Sequence, residues 1–271
     1  MMRVQSQHDE TRFWVEADGA IQLGERPHKE HDYVFVGERD ASRCALLVGR
    51  EIRDDWDQRS AEEDTPAAVR VMARADKLLL PLAEGPRAER LDRFSKGFRQ
   101  VVTESQRELQ SGAKDRAGEA PSLTLTLAYI DRLRLYVGHV GDDRCYVLRN
   151  GQLHRMTTDH TVVPSTSRGP TVNDPMLSRK VLNVIGGFAD DLDMEALAMD
   201  LEADDIVCLC SSGICAAVPE STIREVLASA CGSSAQPLGA VADAMFRAVP
   251  EKERREDRAA ALARFRRRAE E

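Results

Sequence analysis

From residue 123 to residue 156 the chain is written almost entirely in period two. Segments 123–130, 134–140, 144–149 and 152–156 are short and apolar or alternating, and Asn150-Gly151 between the last two is the pair a tight hairpin favours. Strands this closely spaced pair antiparallel, because a parallel return needs a crossover of a dozen or more residues. Upstream the period changes. Thr65 and Pro66 offer an N-cap and a first helical residue, and Val69, Met72, Ala73 and Leu79 or Leu80 follow on one helical face. A second amphipathic helix is expected over about 87–110, on Leu91, Phe94, Phe98, Val101, Val102 and Leu109.

The flanks complete the pattern. Two short strands around an Asp18-Gly19 turn are expected over 13–23, then strands at 33–36 and 44–48. Beyond the strand run, helices are expected at 177–185, 219–230 and 238–249, and strands at 193–199, 205–210 and 259–265. Strands, then two helices, then strands, then a mixture describe a layered α+β domain rather than a doubly wound parallel sheet. The only linker-like stretch, 111–121, would leave an unmatched sheet on either side, so one domain over 12–266 is expected, with a disordered start at 1–11 and a charged tail at 267–271.

Composition narrows the function. A net charge of −8 argues against a general nucleic-acid binder, and only Arg264–Arg268 is locally basic, read as the solvated end of a strand. No apolar run reaches the roughly 20 residues of a membrane helix, and the polar beginning has no signal-peptide core, so a cytoplasmic protein is expected. Cys208, Cys210 and Cys215 lack a Cys-x-x-Cys or His knuckle to complete a zinc site and read as buried thiols. Asp159-His160 has no nucleophile beside it in a recognisable motif and reads as structural.

Four segments in order resemble one family. The stretch 135–151 around Gly141-Asp142-Asp143-Arg144 resembles the Gly-Asp-Ser-Arg region of the metal-dependent protein phosphatases of type 2C, and Met156–His160 resembles the Thr-x-Asp-His-Ser that follows it. The apolar run ending in Ser211-Ser212-Gly213 is similar to that family's Ser-Asp-Gly, and Arg255–Phe265 to its last strand, which opens on an Asp pair. The resemblance implies a four-layer sandwich of two antiparallel sheets flanked by helices. It also implies a centre of two Mg²⁺ or Mn²⁺ ions, held mainly by carboxylates, that hydrolyses phosphoserine and phosphothreonine.

Carried over position by position, those ligands are mostly replaced. The family's Asn-Glu-Asp falls on Glu30-His31-Asp32, its strand-ending Asp-Gly on Gly49-Arg50, and the Asp of Ser-Asp-Gly on Ser212. Asp32, Asp142 and Glu256 or Asp257 are the acids left as candidate metal ligands, and Arg26 lies close to the family's phosphate-gripping arginine. Arg50 would set a permanent cation beside Asp32 and Asp257. The resemblance therefore implies a pseudophosphatase that needs no cofactor and whose partner is a Ser/Thr kinase or a phosphoprotein. The alternative is a divergent active phosphatase with Mn²⁺ or Mg²⁺, using His31, Asp54 and Asp55 as substitute ligands. The Pro- and Ser-bearing segment 161–176 offers a contact surface in either case.

Overall fold

The computed structural model describes residues 13–24, 30–40, 42–52, 66–79, 86–114, 121–161, 181, 183–186, 191–232 and 235–267. One antiparallel sheet takes the order β1 (Phe13–Gln22), β11 (Arg258–Arg267), β10 (Ile206–Cys210), β7 (Arg144–Arg149), β8 (Gln152–Arg155). The other runs β2 (Glu30–Asp40), β3 (Arg43–Ile52), β5 (Leu125–Asp131), β6 (Arg134–Val140), β9 (Glu195–Asp200), with β4 (Ser122–Leu123) beside the end of β3. Helices α1 (Ala67–Leu79) and α2 (Arg90–Lys114) cover the second sheet; the short α3 (Ser212–Cys215), then α4 (Glu220–Ala228) and α5 (Leu238–Ala248), lie on the first.

Side-chain alternation decides which layer each residue joins. On β3, Ala45 and Leu47 meet Val71, Met72, Phe98 and Val101 of the helices, whereas Cys44, Leu46 and Val48 face Val207, Leu209 and Ala261 of the opposite sheet. On β10 the same rule sends Ile206, Cys208 and Cys210 to Met245 and Phe246, and Val207 and Leu209 between the sheets. Three apolar layers result, two under helices and one between sheets, as the four-layer expectation requires. A strand buried on both faces reads as a continuous apolar run, which is why β10 is legible without clean alternation.

Some local expectations give way to longer-range pairing. Asp18-Gly19 makes no turn: β1 is one strand paired with β11 from Phe13↔Arg267 to Gln22↔Arg258. Gly19 is there for closeness, since a Cβ would stand 2.8 Å from Val36 Cγ2 and 3.0 Å from Val34 Cγ2. Helix α2 continues to Lys114, through the start of the stretch read as a linker. The helix expected at 177–185 is not found at its described end, where Ile185 bridges Leu123, and 177–180 and 182 lie outside the described residues. Arg264 is no solvated end. It is 5% exposed, donates to the Ala230 carbonyl at 3.0 Å and to Glu16 at 3.1 Å through Nε. No helix among the described residues is long and apolar enough to cross a membrane.

Candidate functional site

At one end of the sandwich the inter-sheet layer turns from apolar to charged. Asp32 and Arg50 are cross-strand partners on β2 and β3, and Arg50 continues the inter-sheet face of Cys44, Leu46 and Val48. Gly49 points the other way, toward the helices. A Cβ there would lie 2.6 Å from the Thr124 carbonyl oxygen, so no side chain from position 49 can reach the site. The site-facing residue at this turn of β3 is therefore Arg50, and the bridging acid placed at Gly49 by the resemblance has no counterpart on either residue.

Arg50 is 8% exposed and closes on Asp142, donating from Nη2 to Oδ1 at 2.8 Å and to Oδ2 at 2.9 Å. Its charge also acts on Asp32, the cross-strand neighbour expected beside it, while the hydrogen bonds go to Asp142, which was not expected as its partner. The β3 backbone is fixed beside it, with Arg50 N–H donating to Thr124 Oγ1 at 3.0 Å and Thr124 N–H returning to the Arg50 carbonyl at 2.9 Å. Thr124 in turn donates its hydroxyl to Asp143 Oδ2 at 2.6 Å.

Asp143 escaped the sequence reading, although it stands where the family motif has Ser and is fully buried. Its Oδ1 accepts the Ser212 N–H at 3.3 Å, linking the β6–β7 turn to α3. Burial first, then the neighbouring Asp142, push its carboxyl up to about 7 against the pull of Arg50 and Thr124. Asp32, also buried, is raised well above the usual range by desolvation and then by Asp143, with the Ser211 hydroxyl and Arg50 pulling the other way.

Asp257, not Glu256, is the acid that enters the site; Glu256 is exposed. Gly24 N–H donates to Asp257 Oδ1 at 2.7 Å, and Oδ2 receives His31 Nδ1 at 3.1 Å and the Asp32 N–H at 3.4 Å. Ser212, at the start of α3, has a buried Oγ without a hydrogen-bond partner, as does Asp32 Oδ2. Arg26, Asp54, Asp55 and nearly all of 161–176 lie outside the described residues.

A Mg²⁺ ion takes about six oxygen ligands, several of them water, with one or two carboxylates holding it to the protein. Both oxygens of Asp142, of Asp143 and of Asp257 already accept protein hydrogen bonds. Among the described residues, Asp32 Oδ2 and the Ser212 hydroxyl are the site oxygens without a hydrogen-bond partner, and the Arg50 cation acts on Asp32, Asp142 and Asp143. The position to which the resemblance assigns the bridging acid carries no carboxylate, so the described residues fit a two-ion centre poorly.

Around the site the Met156–His160 segment is a wall. Asp159 takes Arg144 at 2.9 Å through Nε and 2.7 Å through Nη2 and also binds Arg155, so it is a structural acid. Arg144 reaches on to the Cys215 carbonyl at 3.0 Å, tying β7 to α3. His139, His160 and Glu195 bring ligand atoms within 4.8 Å of one another. Both His139 nitrogens are occupied, by Thr126 Oγ1 at 2.8 Å and the Thr158 carbonyl at 3.0 Å, and His160 Nδ1 accepts from Gly141 N–H at 3.1 Å and Asn183 at 2.8 Å. The trio reads as an anchored hydrogen-bond cluster. Cys208, Cys210 and Cys215 are buried free thiols, as expected.

A pH test separates two buried groups. Burial and then His160 push His139 down to about 4, so the folded state binds fewer protons there and stability falls as pH drops from 6.5 toward 4. Asp143, raised to about 7, has the opposite sign: the folded state holds its proton and stability rises as pH falls through 7 toward 3.8. In Asp143→Asn the opposing contribution is gone. Urea unfolding from pH 7.5 to 4.5 should then show a steeper acid loss than wild type, and parallel profiles would contradict these environments.

Comparison with known proteins agrees with the fold. Residues 68–166 match the family model described as Protein phosphatase 2C. The serine/threonine phosphatase stp of Listeria welshimeri is 26% identical over 110 residues, 39% of this chain and 44% of that protein, so the match spans less than half of the relative. The Mycobacterium tuberculosis serine/threonine phosphatase PstP/Ppp has a similar structure, with a TM-score of 0.65, 19% identity, and 93% of this chain and 98% of that one covered. A structure of the PstP catalytic domain in complex with 2 manganese ions aligns at 0.63 and 19% identity over 94% of this chain and 99% of that one. This chain has the type 2C phosphatase fold and resembles that family in sequence through its middle third.

Proposed function

We propose that this chain is a type 2C-like regulator in Ser/Thr phosphorylation signalling that binds a kinase or phosphoprotein in the cytoplasm and does not hydrolyse phosphate through a metal pair. The observation that carries this reading is the buried ion pair in which Arg50 Nη2 reaches both oxygens of Asp142. What supports the reading is that a permanent cation engages both oxygens of an acid that the resemblance would offer to a metal ion. Gly49 and Ser212 supply no carboxylate in compensation.

The second reading is an active metal-dependent Ser/Thr phosphatase. What favours it is the relatives: the Listeria and mycobacterial proteins are named serine/threonine phosphatases, and one solved neighbour holds manganese. One experiment divides the two. The chain is titrated with MnCl₂ by calorimetry, and phosphate release from a phosphothreonine peptide is followed in the same buffer. The first reading expects no heat of specific binding and no metal-dependent release; the second expects both.

A further inference from the structure

The acids at this end of the sandwich pose a stability problem whether or not they ever meet a metal. Asp32, Asp142, Asp143 and Asp257 are all under 9% exposed, and Asp143 lies close enough to Asp32 and Asp142 for mutual repulsion. Buried like charges are costly unless something of opposite sign shares the space. Arg50 lowers both Asp32 and Asp143 while holding Asp142 directly. It also sits where three segments meet: β3 by its backbone, β5 through the Thr124 hydroxyl just before it, and the β6–β7 turn through its guanidinium.

We infer that Arg50 is an internal counter-cation that makes folding of this carboxylate cluster independent of divalent ions. The inference rests on the reading of a metal-free site and adds a role for one residue in it. Without the guanidinium, Asp142 would lose the donor to both its oxygens, and Asp32 and Asp143 the cation that offsets the repulsion on them. A free divalent ion, having affinity for the folded cluster and little for the unfolded chain, would then stabilise the fold by mass action.

The test uses full-length Arg50→Met, which keeps an unbranched side chain and removes the charge, beside Arg50→Lys, which keeps the charge but not the fork. In EDTA the melting temperature of Arg50→Met should fall by about 10 °C, the scale expected when one partner of a buried ion pair is lost. Addition of 1 mM MnCl₂ should recover several degrees of it, by about 2–4 °C per kcal/mol of binding energy. Wild type and Arg50→Lys should not respond to MnCl₂, and Arg50→Lys should melt within a few degrees of wild type. If Arg50→Met is insoluble without metal, refolding yield with and without MnCl₂ gives the same answer. A Met variant indifferent to manganese, or a Lys variant as damaged as the Met variant, overturns the inference while leaving the metal-free reading intact. Manganese binding by wild type would instead overturn that reading.

Discussion

Gly213→Ala should destabilise the protein by about 3 kcal/mol, the upper end of the usual cost of overpacking. A Cβ at 213 would stand 2.1 Å from the Asp257 carbonyl oxygen, and a backbone atom cannot swing aside as a side-chain tip can. The approach is held from both directions. Ser211 N–H donates to the Ala259 carbonyl at 2.9 Å and Ala259 N–H returns to Ser211 Oγ at 3.0 Å, so α3 and the start of β11 move together or not at all. The control is Gly151→Ala. Its φ of +75° lies in the left-handed region but nothing stands within 4 Å, so it should cost only about 1–2 kcal/mol of backbone strain. Urea unfolding of the two variants separates them, and equal losses would mean that the contact with Asp257 is not tight.

Arg149→Met should cost about 3 kcal/mol, for a different reason. Asp205 has a side chain only 1% exposed, and Arg149 Nε lies 2.9 Å from its Oδ1. The same guanidinium binds Glu202 at 2.8 Å and the Asp200 carbonyl at 2.6 Å, so one side chain joins β7 to the connection between β9 and β10. Removing it strands a buried carboxylate that keeps only the Glu202 N–H, at 2.8 Å. The double variant Arg149→Met, Asp205→Leu should recover much of the loss, because the cost lies in the unpaired charge rather than in the missing contact. Additive losses would contradict this.

The fold was more legible than the site, and the difference has a physical source. Layers follow from local periodicity, and α1, α2, β5, β7 and β10 carry enough apolar pattern to declare themselves. Asp18-Gly19 misled because ten paired residues on β11 outweigh one turn-prone dipeptide. The site depends on which face a residue joins, and one step of register reverses that. The resemblance puts the bridging acid at Gly49, but β3 turns residue 49 to the helices, and Arg50 alone of the two faces the acids, as its expected place beside Asp32 requires. Asp143 was passed over because the resemblance has no acid there, though a second Asp beside Asp142 was a signal in itself. Glu51 carries no local signal that marks it as buried. It is fully buried and its Oε2 accepts the Ala68 N–H at 3.0 Å, capping α1 from β3.

The calorimetric titration of the wild-type chain with MnCl₂ tests the account most directly. Arg50 on Asp142, with Asp143 and Asp257 turned to protein donors, predicts only the heat of dilution up to millimolar metal. Two ions bound with micromolar affinity would contradict it, and would require Arg50 to leave Asp142.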